Sequence, residues 1–326
     1  MTFKEFKDQW DNYLGNWYNC RKPANATVPV LPSGVKPEAE CFFNTSNAKD
    51  IKANIDYMPE PYYTGTDFLL ATDWAQLEGS IVVLDLNPGL SHPNDCLKNV
   101  NWHNPEIVNN LANGSYSDIN AEYSPFISTN YAVPGVQWWD GNRLSWISRF
   151  FDISQGLVKN KMFALEMCPF HSKKWDCKIL QNPDVIKYIK DSVINPAAMA
   201  LHKSFGICFG KDWEIIFDAL GFREVGFWGV EYDRGLRNLA TRQLKGVALQ
   251  WPQDQAWPSS LNKLICRKYV LYEGSAVNLE TGCEMKAYFL CLRAEGTFKS
   301  PGSKFADVEK TILEDIKNII ENKLKY

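Results

Sequence analysis

Ile81-Val82-Val83-Leu84-Asp85-Leu86-Asn87-Pro88-Gly89-Leu90-Ser91 is an apolar run that breaks abruptly at Asn-Pro-Gly. A short apolar run bounded by turn residues suits a strand buried on both faces of a parallel sheet. Pro88 ends the strand because it has no N–H for the ladder, and Gly89 lets the backbone come close to a ligand. The amide of Asn87 and the hydroxyl of Ser91 are then presented at the carboxyl end of a buried strand, where open α/β sheets hold their ligands. A plain strand followed by a Pro-Gly turn gives the same pattern, so other segments must decide.

Working outward, the chain reads as an α/β fold. Residues 162–167, 205–209 and 287–292 are further apolar runs, separated by enough chain for crossover helices, which argues for a parallel sheet. Helical spacing marks residues 144–151, residues 185–201 behind Asn182-Pro183, residues 213–220, and residues 306–324 behind Ser303. In the last, Val308, Ile312, Ile316, Ile319 and Ile320 form one stripe suited to docking on a sheet. Thr2 and Glu5 make a capping-box pattern, and Phe3, Phe6, Trp10, Tyr13, Leu14 and Trp17 place an amphipathic helix over residues 3–18, packed on the core. Pro23, Pro29, Pro32 and Pro37 follow in a loop, so the core architecture is expected to begin near residue 60. Residues 91–141 read as extended loops, and residues 225–272 hold two β-like runs that a simple doubly wound sheet does not accommodate.

With 326 residues, 45% of them hydrophobic, the chain can bury a substantial core. The formal net charge of -3 supplies no bulk attraction to nucleic acid, so DNA binding requires a local basic patch and weakens with salt. Nine cysteines without a Cys-x-x-Cys pair read as reduced thiols, and neither a metal nor a cofactor is expected. The amino terminus has no apolar signal core, and no uncharged stretch is long enough to span a membrane. A cytoplasmic protein is the expectation, with the sequons at Asn25, Asn44 and Asn113 idle.

Four strings occur in a telling order: Pro59-Glu60-Pro61-Tyr62 ahead of the first strand, Asn87-Pro88-Gly89-Leu90-Ser91 at its end, Cys168-Pro169-Phe170-His171-Ser172-Lys173-Lys174 after the second, and Ser300-Pro301-Gly302-Ser303 before the last helix. Together they resemble the uracil-DNA glycosylase superfamily, particularly its mismatch-specific and single-strand-selective branches. The resemblance implies a three-layer α/β/α sandwich with a short central parallel sheet. It also implies a monofunctional enzyme that flips a nucleotide out of DNA and hydrolyses its N-glycosidic bond, leaving an abasic site. On that reading residues 1–58 are an N-terminal helix and Pro-rich extension, and residues 59–326 are the glycosylase-like domain, with insertions at about 92–141 and 225–272.

The resemblance also distributes roles. Asn87 matches the residue that positions the attacking water in the mismatch-specific branch; an amide cannot deprotonate water, so it orients it. Asp85 stands where the family usually has glycine, and alternation turns it to the side of Asn87. It reads either as a catalytic base or electrostatic stabiliser, or as a strand-end carboxylate of no catalytic consequence. Glu166, counted back from Pro169, occupies the position where the single-strand-selective branch has an asparagine that reads the pyrimidine edge. An ionised glutamate only accepts hydrogen bonds, which suits the exocyclic amino group of cytosine; a glutamate paired with a nearby lysine or histidine is the other reading.

Gly89 lies where the strict uracil-excising branch carries a tyrosine that blocks groups at C5, so that wall is absent. Gly89 and Glu166 together point to a C5-modified cytosine, such as hydroxymethylcytosine or its glucosylated form in phage DNA, and hence to anti-phage defence. Phe170 and His171 fall in the base-recognition string, although His171 and the lysines after it also read as a solvated polar loop. Ser91, Lys173, Lys174, Ser300, Pro301, Gly302, Ser303 and Lys304 are the expected DNA contacts, the last five ahead of a helix amino terminus suited to an anion. Arg234, Arg237, Arg242 and Lys245 form a basic cluster that either tracks the DNA backbone or is a wet face. The alternatives are a repair glycosylase acting on uracil or mismatched pyrimidines, and a catalytically idle module that binds modified DNA.

Overall fold

A computed structural model describes residues 1–10, 41–42, 55–59, 62–69, 71–86, 126, 139–172, 175–201, 204–231, 249–250, 265–294 and 306–324. In chain order the strands are β1 (Ile55–Pro59), β2 (Tyr62–Thr64), β3 (Ile81–Asp85), β4 (Met162–Glu166), β5 (Phe170–Ser172), β6 (Gly206–Phe209), β7 (Arg223–Glu231), β8 (Leu249–Gln250), β9 (Ile265–Val277) and β10 (Glu284–Ala294). The helices are α1 (residues 3–10), α2 (Ser145–Phe151), α3 (Gln155–Lys161), α4 (Pro183–Ile189), α5 (Asn195–Leu201), α6 (Asp212–Ala219) and α7 (Ala306–Leu324). A π turn, Lys190–Ile194, joins α4 to α5 just before Pro196, whose missing N–H interrupts the regular helix ladder.

The four expected strands are β3, β4, β6 and β10, which lie in parallel in the order β4-β3-β6-β10. They are the middle of a wider, eight-stranded mixed sheet, β2-β4-β3-β6-β10-β9-β7-β8, whose outer pairings are antiparallel. The fold is thus α/β, with the expected parallel strands at the centre of a mixed sheet. β7 and β9 take up both ends of residues 225–272 and extend the sheet. β9 runs unbroken through Glu273-Gly274, although these residues break its apolar pattern, and pairs as a hairpin with β10 from Val277↔Glu284 to Arg267↔Ala294.

Alternation along each strand sends side chains to opposite faces. On the first face Val82, Leu84, Phe163, Leu165 and Cys208 pack with α1, α4, α5 and α6. On the second, Val83, Met162, Ala164, Ile207 and Leu290 pack with α2, α3 and the stripe of α7. Helices therefore cover both faces. The core does not begin near residue 60: Phe3, Phe6 and Trp10 of α1 are wholly buried, with Phe3 edge-on to Trp74 at 4.9 Å and Phe6 against Tyr62 at 5.1 Å between ring centroids. Large aromatic rings at helical spacing need burial whatever loop follows them. Among the described residues no helix is long and apolar enough to cross a membrane.

The chain leaves β3 for β4 over α2 and α3 on the second face, then returns past β3 to β6 over α4 and α5 on the first. The helices that follow β3 and β6 thus lie on opposite faces. Such a reversal opens a crevice outside the carboxyl ends of the two strands, and ligands of open α/β sheets bind there.

Candidate functional site

β3 ends in Asp85 and β4 in Glu166, and these two residues are Cα partners in the parallel ladder. Both are buried, on the face that also holds Val83 and Ala164. The ladder continues one step further: Met167 N donates to Asp85 O at 3.0 Å and Cys168 N to Leu86 O at 2.9 Å. The Cys168-Pro169 string therefore starts beside Leu86, the residue that precedes Asn87.

A buried carboxylate requires compensation. Asp85 receives it from Arg143, in the π turn Asp140–Leu144 that leads into α2. Nε donates to Oδ2 at 3.1 Å and Nη2 to Oδ1 at 3.0 Å, a two-pronged contact that fixes both groups. Arg143 is 1% exposed, and its guanidinium carbon lies 3.9 Å from the ring centroid of Phe209, the last residue of β6. One side chain thus spans the carboxyl ends of β3 and β6, the two strands that flank the reversal. Lys159 of α3 pairs with Asp140 at 2.9 Å and ties down the turn that presents it. Since both oxygens of Asp85 accept from the guanidinium, the geometry suits a carboxylate that sets charge and position rather than one that takes a proton.

A second buried acid lies along the same face. Glu309, in the first turn of α7, accepts from Trp146 Nε1 at 2.8 Å and Tyr269 Oη at 2.6 Å through Oε1, and pairs with Arg149 through Oε2. Trp146 also packs edge-on to Phe209, with centroids 5.6 Å apart. Tyr269 is the partner of Leu292, itself the partner of Phe209. The start of α7 is therefore bolted to the carboxyl edge of the parallel strands.

Of the residues expected to act, Asp85 and Glu166 are brought together. Phe170 and His171 form β5, which pairs with β1 through Pro59↔Phe170 and Ile55↔Ser172, so two strings far apart in sequence become neighbours. Asn87, Gly89, Ser91, Lys173, Lys174, Ser300, Pro301, Gly302, Ser303 and Lys304 lie outside the described residues, as do Arg234, Arg237, Arg242 and Lys245. Arg143, Phe209, Trp146 and Glu309 were missed by sequence reasoning. For Arg143 a signal existed: with Trp146, Ile147 and Phe150 it falls at i, i+3, i+4 and i+7, a cation on an apolar stripe. Among the described residues no group of three or more His, Cys, Asp or Glu is arranged to hold a metal ion. No protein-family model, curated protein or solved structure matches this chain.

Proposed function

We propose that the chain is a DNA glycosylase, similar to the uracil-DNA glycosylase superfamily, that excises a C5-modified cytosine and serves in anti-phage defence. The observation that carries this reading is the pairing of Asp85 with Glu166 at the carboxyl edge, in register, directly ahead of the Asn87 and Cys168 strings. A flipped base costs a few kcal/mol of stacking and pairing, which contacts in such a crevice offset. Asn87 orients water toward the anomeric carbon. Carboxylates nearby favour the positive charge that builds on the sugar as the bond to the base breaks. Arg143 holds Asp85 in place for that purpose. Glu166 accepts from the cytosine amino group, and Gly89 leaves room at C5.

The test is release of free base from duplexes carrying hydroxymethylcytosine, glucosylated hydroxymethylcytosine, uracil or mismatched thymine. Modified cytosine is the expected product, and Asn87→Ala should lower its release by at least about 100-fold while DNA is still bound. Release of uracil alone would overturn the cytosine assignment, and undiminished release by Asn87→Ala would remove Asn87 from the chemistry. One observation favours a second reading, a module that binds modified DNA without cleaving it: both Asp85 oxygens already accept from Arg143. Binding with no base released by the unaltered protein would establish that module instead.

A further inference from the structure

The turn that leaves β6 stands at the carboxyl end of the strand next to β3. Gly210 follows Phe209 with φ +114°, a backbone conformation that favours glycine, and donates its N–H to Leu292 O at 3.2 Å. α6 then starts at Asp212 on the first face of the sheet. Asp212 is only 3% exposed. Its Oδ2 accepts from the indole Nε1–H of Trp175 at 2.7 Å, whereas Oδ1 is buried and accepts no hydrogen bond among the described residues. An acid in the first turn of a helix is favoured by the helix dipole, and Asp212 adds to that a hydrogen bond accepted from a residue 37 positions earlier in the chain. Trp175 closes the stretch that leaves β4 through Cys168 and β5.

We infer that Asp212 is a positioning residue: it fixes Trp175, three residues beyond the end of β5, to the start of α6 after the β6 turn. The inference rests on the glycosylase reading, which gives Phe170 and His171 of β5 contact with the base. A hydrogen bond to a charged acceptor is worth about 1.5–3 kcal/mol, enough to shift the population in which Trp175 is held by tenfold or more.

Asp212→Ala and Trp175→Phe remove the bond from opposite sides, and Asp212→Asn keeps an acceptor for the indole while discarding the charge. In the full-length protein, amide hydrogen exchange at Phe170, His171, Ser172 and Trp175 should quicken by about tenfold in each of the first two variants. KM for release of hydroxymethylcytosine from duplex DNA should rise by a similar factor, with kcat changed much less. The double variant should be no worse than either single one, and Asp212→Asn should restore both readouts at wild-type stability or above. Unchanged exchange in both Asp212→Ala and Trp175→Phe would overturn the anchor, whatever the catalytic outcome. Quickened exchange with unchanged KM would overturn the part given to this stretch in substrate binding. A wild-type protein that releases no base sinks the glycosylase reading, while exchange still decides the anchor.

Discussion

Two equally buried carboxylates, Asp85 on β3 and Glu273 on β9, are paired with cations that water reaches very differently. Asp85, at the carboxyl edge of the parallel strands, is held by an arginine that is 1% exposed. Glu273, in the antiparallel half, is the Cα partner of Arg223 and of Tyr288; it pairs with Arg223 at 3.0 Å and with Lys323 of α7 at 2.8 Å. The Arg223 side chain is 76% exposed and that of Lys323 about a third. Solvent and salt screen the second arrangement and hardly reach the first. The same chemistry therefore clamps the antiparallel half of the fold and builds a dry, fixed field at the carboxyl edge of the parallel strands, where the strand order reverses.

Arg143→Met breaks the comparison most sharply. It strands Asp85 without its counter-charge and should cost about 3–5 kcal/mol in urea unfolding, and Asp85→Leu added to it should recover much of that loss. A cost below about 1 kcal/mol would mean that the carboxyl-edge pair is as screened as the other. Glu309→Ala comes next: it leaves the Trp146 and Tyr269 donors buried without their acceptor, for an expected loss of about 2–3 kcal/mol.

Glu273→Gln should have the smallest effect, under about 1 kcal/mol near neutral pH and shrinking with added salt. Its pH dependence is the sharper readout. Burial alone would raise the Glu273 carboxyl, but hydrogen bonds and charge from Lys323 and Arg223 outweigh it and leave the group below its ordinary value. A depressed acid contributes stability above its unfolded value and loses it as pH falls through the folded one. The stabilising share of Glu273 should thus disappear on acidification below about pH 4.5, and Glu273→Gln should flatten that limb of the stability curve.

The parallel half of the fold was legible because each of its strands is an unbroken apolar run. Residues 81–86 and 162–167 were expected where β3 and β4 stand, and α7 carries the isoleucine stripe that foretold it. The antiparallel half was not, since β9 sets Arg267 and Lys268 beside Tyr269 and carries Glu273-Gly274 midway, which breaks the apolar pattern along the sequence. Asp85 and Glu166 could each be singled out as strand-end acids, but only the register makes them neighbours. Arg143 joins Asp85 across 58 positions of chain, a distance over which local spacing carries no information.

Cys208 and Cys291 are Cα partners at the centre of the sheet, wholly buried, and burial pushes both thiols up. Cys177 and Cys283, in contrast, are open to solvent. An alkylating reagent meets the outer two at once but reaches the inner two only when β6 and β10 part. The molecule thereby carries its own gauge of global opening, in which modification of the inner thiols counts excursions to the unfolded state rather than reactivity at the surface.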